Sequence, residues 1–269
     1  MDLNEQRAAA AFTKQSGVFD SLFADNSIIQ YKRKRVRDKL EEYLLPGSHI
    51  LELNSGTGED AIWLAERGHR VHATDLSTGM QEVLRNKVAV KGLENAISTE
   101  RCSFTRLDAL KQKGPYDLIF SNFAGLNCTG ELTGVLRRFE SLLNSGGLLI
   151  LVIMPGFCLW ETALLFRGKF RTAFRRAFSK KGVTARVEGE KFTCWYYNPS
   201  LITRTLNDTF DLLSLEGLCS VVPPSYLDHF PEKHPGLYQF LKKKEEQLKD
   251  KWPWKQWGDY YIICLKKKT

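Results

Sequence analysis

Short runs rich in Ile, Leu and Val recur at residues 49–53, 70–74, 102–107, 116–121 and 147–154, and most are separated by 10 to 20 residues of helical periodicity. Apolar runs of four to eight residues spaced by amphipathic helices predict a βαβ rhythm. Strands joined in this way lie mostly parallel, with helices on both faces of the sheet. In such a sheet a ligand sits beyond the carboxyl ends of the strands, near the switch in strand order. Asn54 to Gly58, Asp75 to Ser77, Asp108 and Asn122 all fall at predicted strand ends. The fold class is therefore α/β, a doubly wound, mostly parallel sheet in one domain spanning residues 1–269, preceded by leader helices over residues 1–45.

Composition narrows the class. The chain has 269 residues, 43% hydrophobic and 26% charged, which describes a soluble globular protein with enough material for one large core. Its six cysteines form no Cys-x-x-Cys pair, so reduced thiols are expected rather than a disulfide framework, and no metal site is predicted. The opening MDLNEQRAAAAFTKQ lacks the apolar run of a signal peptide, and no stretch approaches the roughly 18 apolar residues of a membrane span. A cytoplasmic location is the expectation. The net charge of +8 raises the prospect of an acidic partner without requiring one.

The loop "LELNSGTG", residues 51–58, follows a predicted strand and opens a predicted helix. A dinucleotide site would present Gly-x-Gly-x-x-Gly to a pyrophosphate, and Ala61 at the third glycine decides little. Glu52 decides more: a carboxylate in the strand just before the loop repels a pyrophosphate and suits a ligand with ammonium and sulfonium groups. No Gly-Lys-Ser/Thr follows, so a Walker loop is excluded.

These residues resemble the class I, seven-stranded, S-adenosylmethionine-dependent methyltransferases of small-molecule type. Glu52-Leu-Asn-Ser-Gly-Thr-Gly58 is similar to the family's first motif, with Asn54 in place of its first glycine. Asn is the residue other than glycine that most readily takes positive φ, so the loop can keep its shape. The resemblance implies S-adenosyl-L-methionine as cofactor and S-adenosyl-L-homocysteine as product. It implies contacts from Glu52, Asn54, Ser55, Gly56 and Gly58, ribose recognition by Asp75 beside Leu76, and adenine contact by Asp108 and the Ala109 amide. Asn122 and Phe123, in "YDLIFSNFAGLN", are expected to face the methionine end. Met80 reads equally as packing over adenine and as helix core. In the leader, Phe19-Asp-Ser-Leu-Phe-Ala24 is similar to a helix that closes over the cofactor. Tyr31 would then meet the methionine carboxylate, with Lys32 or Arg35 supplying charge unless those cations are simply solvated. The terminal "DYYIICLKKK" is expected to lie antiparallel between strands five and six.

Past residue 154 the alternation breaks, and the next long strand, "DLLSLEGLCSVVP", starts at Asp211. Residues 155–198 are read as a helix-plus-hairpin cap inserted between strands five and six. Phe166, Phe170, Phe174 and Phe178 recur every fourth residue, with Arg167, Arg171 and Arg175 one step behind, which on a helix makes an aromatic stripe edged by cations. Glu188-Gly-Glu-Lys191 is a hairpin-turn candidate. Four readings of the cap stay open: a lid whose Phe157, Trp160, Trp195, Tyr196 and Tyr197 wall an acceptor pocket, a peripheral membrane contact, a nucleic-acid surface, or plain packing. Strand four ends without the Asn/Asp-Pro-Pro-aromatic form of base-N-methylating enzymes, so a small-molecule acceptor is expected and no specific nucleic acid or obligate protein partner is. O-methylation of an apolar or aromatic acceptor is favoured, with His229 the first candidate base. The alternatives are a lipid or quinone-precursor methyltransferase at a membrane interface, and a non-catalytic cofactor-binding protein on the same scaffold.

Overall fold

A computed structural model describes residues 2–163, 176 and 181–269. The phenylalanine and arginine stripe read from Phe166 to Phe178 lies outside the described residues. Five parallel strands, β1 (His49–Leu53), β2 (Arg70–Asp75), β3 (Ile97–Arg101), β4 (Tyr116–Ser121) and β5 (Leu143–Ile153), are followed by a two-stranded hairpin of β6 (Val183–Val187) and β7 (Glu190–Cys194). The strands β8 (Phe210–Leu218) and β9 (Tyr260–Lys267) complete a seven-stranded sheet of order β3-β2-β1-β4-β5-β9-β8. As expected, β9 runs antiparallel between β5 and β8. The order reverses between β1 and β4, which pair through Leu53 and Ser121, and that switch opens the crevice where the site lies.

Side chains alternate across the sheet, so its two faces build two apolar clusters. Leu51, Leu53, Ile119, Leu149 and Leu151 pack on one side against Leu136 and Phe139. Ile50, Leu118, Phe120, Ile150 and Val152 pack on the other against Val36, Leu40, Ala61 and Leu64. The third strand lies earlier than the apolar pattern implies. The run at 102–107 leads into a 3-10 turn, Phe104–Ala109, with Cys102 just before it and Leu107 within it in the core, while the polar "ISTER" takes the sheet edge beside β2. An edge strand covered on one side needs few apolar residues, so hydrophobicity pointed to the wrong segment.

The leader is three helices, α1 (Leu3–Gln15), α2 (Phe19–Ala24) and α3 (Ser27–Tyr43). Asn26 caps α3, its side-chain oxygen accepting from the Ile28 and Ile29 amides at 3.0 Å. The basic face of α3 is not solvated. Lys32 is bonded to Asp259 at 2.7 Å, Arg35 to Glu216 at 2.8 Å, and Lys39 to Glu216 at 2.7 Å. Helix α1 packs on the hairpin through Ala8, Ala11 and Phe192. Asn4 bolts this contact, donating to the Cys128 and Thr193 carbonyls and accepting from the Thr193 amide at 2.6 Å. The hairpin turns at Glu188 and Gly189, whose φ values of 47° and 79° suit a two-residue loop.

Candidate functional site

Between β1 and the following helix, α4 (Glu59–Ala65), the backbone takes left-handed values at Asn54 (φ 54°), Gly56 (φ 54°) and Gly58 (φ 84°). Asparagine thus adopts the conformation expected of it, and donates to Ser121 Oγ at 3.1 Å. A Cβ on Gly58 would lie 2.0 Å from Leu84 Cδ1, so the loop can approach α5 (Thr78–Lys91) only with glycine there. Asp75 holds the loop from the end of β2, its two carboxylate oxygens accepting from the Gly56 amide at 3.0 Å and the Ser77 amide at 2.8 Å. Burial pushes its pKa up, against the hydrogen bonds from Ser77, Gly56 and Leu76. Each oxygen keeps a lone pair for a ligand hydroxyl.

Around this loop lies a cleft with a volume of about 160 Å³. Its wall includes Glu52, Asn54, Ser55, Gly56, Asp75, Leu76, Met80, Asn122 and Phe123, so the structure brings together nearly all of the residues that the first, second and fourth motifs single out. Gly58 stands behind the loop and works through its shape. Met80 is 2% exposed and part of the wall. Asn122 Nδ2 donates to Asp60 Oδ2 at 2.7 Å, and Asp60 Oδ1 meets Arg33 at 3.2 Å and Arg37 at 3.1 Å.

Five carboxyl groups, those of Glu5, Glu52, Glu59, Asp60 and Asp75, face the cleft, and Arg33 is the one cation among the described lining residues. Glu52 is 3% exposed and its Oε2 has no hydrogen-bond partner among the described residues. Burial, with Asp60 adding to it, holds its carboxyl well above the usual range despite Arg33. In a protein of net charge +8, these carboxyl groups are a local concentration of acid.

Residues 50–147 match the family described as "Methyltransferase domain". Residues 50–147 are thus of the methyltransferase-domain type. The chain is 33% identical over 75 residues to tuberculostearic acid methyltransferase UfaA1 of Mycobacterium tuberculosis, covering 28% of this chain and 16% of that one. It is 32% identical over 103 residues to tRNA 5-carboxymethoxyuridine methyltransferase of Escherichia coli (strain K12), covering 38% and 39%. The matched stretch thus spans less than half the length of either relative. The fold as a whole superimposes on Burkholderia thailandensis 1,6-didemethyltoxoflavin-N1-methyltransferase, with TM-score 0.57 at 12% identity over 100% of this chain and 92% of that one. That structure holds S-adenosylhomocysteine, the product form of the family's cofactor, S-adenosyl-L-methionine.

In this structure several expected residues lie elsewhere. Tyr31 is turned from the cleft: its hydroxyl accepts from Arg35 at 3.0 Å, and it lines a separate groove with Ser27, Lys34 and Tyr238. Arg33 is the leader cation in the cleft, over the Phe123 ring at 5.2 Å. Asp108 and Ala109 are exposed and outside it, with Asp108 paired to Arg138 at 3.2 Å and Arg106 at 3.5 Å. A kink at Arg106 (φ −124°, ψ 43°) turns that segment outwards. His229 is 70% exposed between Asp228 and Glu232, also outside the cleft.

The five aromatics read as an acceptor wall are packing residues. Phe157 lies 5.0 Å from Trp257, and Trp160 donates to the Val221 carbonyl at 3.2 Å. Trp195 stacks over Gly130, Tyr196 sits under the Arg176 guanidinium at 5.1 Å, and the Tyr197 hydroxyl donates to the Thr129 carbonyl. None of the five lines the cleft. The apolar wall comes instead from Ala8, Ala9 and Phe12 of α1, Phe19 of α2, Phe104, Phe123 and Cys128. Phe19 belongs to the aromatic-Asp motif read in the leader; α1 carries no comparable signal beyond its alanine run.

A second polar cluster is structural. Cys158, Glu161 and Asp259 lie close enough to share an ion, but Arg176 bridges Glu161 and Asp259 at 2.7 Å each and Lys32 takes the other Asp259 oxygen. Burial opposes the Asp259 charge, yet Lys32 and Arg176 bring its pKa down to about 2.

Proposed function

We propose that this chain, read as one domain over residues 1–269 with a leader at 1–45 and a cap at 155–198, methylates a small apolar or aromatic acceptor. A hydroxyl is the favoured nucleophile. The observation that carries the reading is Glu52: a buried carboxyl with an oxygen unpartnered among the described residues, in a cleft whose described lining has five acids and one cation, fits a ligand that brings positive charge. S-adenosyl-L-methionine supplies that charge and an activated methyl when bound. The loop Asn54 to Gly58 and Asp75 would hold its sugar, Met80 its ring, and Glu52, Arg33 and Asn122 its amino-acid end.

The acceptor's side of the cleft is left to Phe12, Phe19, Phe123 and Cys128, a surface that binds by apolar contact. No histidine lines the cleft among the described residues, and Asp60 and Glu59 are engaged by Arg33, Arg37 and Lys87. Rate enhancement then rests on holding the nucleophile in line with the transferred methyl rather than on a protein base. A lipid acceptor is the second reading, favoured by the relative named for tuberculostearic acid. No helix among the described residues is long and apolar enough to cross a membrane, so such an acceptor would be met at the surface.

The test is incubation with methyl-deuterated cofactor and three acceptor pools, namely phenols, fatty acids in phospholipid vesicles, and bulk tRNA. Mass spectrometry then locates the label. Labelled phenols support the first reading and labelled acyl chains the second. Label in tRNA would refute both, and cofactor binding without transfer to any pool would make this a non-catalytic binding protein.

A further inference from the structure

Glu5 is a buried acid that no motif accounts for. It lies on α1, is 3% exposed, and lines the cleft, whose wall also includes Leu76, Met80 and Phe104. Its Oε2 accepts from Ser103 Oγ at 2.8 Å and Thr105 Oγ1 at 2.9 Å, both on the segment that follows β3. Those two hydroxyls saturate one oxygen and lock the rotamer. The other, Oε1, is buried with no hydrogen-bond partner among the described residues.

A buried carboxylate oxygen without a partner is costly unless a ligand donates to it. The sheet order restricts what that ligand group is. Glu5 sits at the β3 side of the cleft, beyond Asp75 on β2, whereas Arg33, Asn122 and Phe123 belong to the β4 side. Leu76 after β2, Met80 on α5 and Phe104 after β3 give the cleft apolar wall at these elements, so the donor arrives on a flat apolar body. Together these features describe an exocyclic amine on an aromatic ring. Asp108, the acid expected for that duty, is exposed and bound to two arginines.

We propose that Glu5 Oε1 accepts from the exocyclic amino group of the cofactor's adenine, which makes the leader helix α1 a specificity element of the binding site. This rests on the cofactor reading above and names a residue that the reading does not. It has a sharp chemical consequence. A hypoxanthine ring puts a carbonyl oxygen where adenine has its amine, so Glu5 would face an acceptor with an acceptor. A site built around a hydrogen bond rejects an analogue that lacks it far more strongly than an apolar site rejects a missing methyl.

The experiment compares S-adenosyl-L-homocysteine with its deaminated form, S-inosyl-L-homocysteine, by calorimetry on the full chain and on Glu5→Gln, Glu5→Asp and Asp108→Ala. The wild type is expected to prefer the adenosyl form by roughly 100-fold or more. Glu5→Gln, whose amide can turn its NH2 towards a carbonyl, should compress that preference below about tenfold, and Asp108→Ala should keep it. The preference is a ratio within one protein, so a general loss of stability cancels. If Glu5→Gln does not fold, the wild-type ratio and the shortened acid in Glu5→Asp still decide. Equal binding of both ligands by the wild type, or an unchanged ratio in a folded Glu5 variant, overturns the assignment while leaving the cofactor reading intact. Failure of the wild type to bind S-adenosyl-L-homocysteine overturns the cofactor reading, and this assignment with it.

Discussion

Replacing Glu52 by Gln should make the free protein more stable and its cofactor binding weaker, and both effects follow from one buried group. Glu52 is 3% exposed, and burial together with Asp60 keeps its folded pKa well above 4.5. The folded carboxyl therefore holds a proton over a range where the unfolded one has lost it, so stability falls as pH rises from about 4.5 towards the folded pKa. Each pH unit in that window costs about 1.4 kcal/mol. For a domain of this size that corresponds to roughly 3–6 °C in Tm per unit. Gln carries no titrating charge, so the Tm advantage of Glu52→Gln should be small near pH 5 and grow as the pH rises towards the folded pKa. A ligand cation next to Glu52 draws the carboxyl into its charged form and makes a charge-assisted contact, an interaction of about 1.5–3 kcal/mol. Glu52→Gln should accordingly weaken cofactor binding by roughly 10- to 100-fold. The assay is a series of thermal melts from pH 5 to pH 8, paired with calorimetry at pH 8. A Tm difference that stays flat with pH would show that Glu52 is ionised in the free protein, and unchanged affinity would show that it faces no cation; either refutes the reasoning.

Other expectations follow from the same geometry. Gly58→Ala forces a Cβ into Leu84 Cδ1 at a φ of 84°, and should cost about 2–5 kcal/mol in chemical denaturation by adding left-handed strain to overpacking. Asp75→Ala removes the acceptor for the Gly56 and Ser77 amides, and cofactor affinity by calorimetry should fall by about 10-fold or more. Asp259→Asn leaves the buried Lys32 and Arg176 short of a counter-ion and should cost about 3–5 kcal/mol at neutral pH. Because the Asp259 pKa is depressed to about 2, its contribution is complete above its ordinary value of 3.8 and is lost as pH falls towards 2, so the variant should lose less stability than wild type across that acid window.

What was legible in the chain was the local chemistry. The turn at Asn54 to Gly58 needs left-handed backbone at set positions, and residue type alone reveals that, as it reveals the acid at the end of β2. The face a helix presents is a different matter. In α3 the run from Lys32 to Arg35 is basic all round, and consecutive residues are separated by about 100°. Arg33 reaches the cleft because Asp259 and Glu216, far along the chain, claim Lys32 and Arg35 on the other side. Asp108 sits in a favourable-looking motif, but a backbone kink two residues earlier sends it outwards. Helix α1 enters the site because the hairpin of the inserted segment gives its alanines a surface to dock on, a long-range fact with no local trace. The aromatics from Trp195 to Tyr197 failed as an acceptor wall for the reverse reason: large apolar side chains pack wherever a core can take them, and composition does not separate core from cleft.

The central claim is that the crevice between β1 and β4 is an S-adenosyl-L-methionine site. The most direct measurement is calorimetric titration of the full chain with S-adenosyl-L-methionine, S-adenosyl-L-homocysteine and NADH, repeated on Asp75→Ala. One-to-one binding of the first two, no binding of NADH and a clear loss of affinity in the variant are expected. Binding of NADH alone, or cofactor binding that Asp75→Ala leaves untouched, would contradict it.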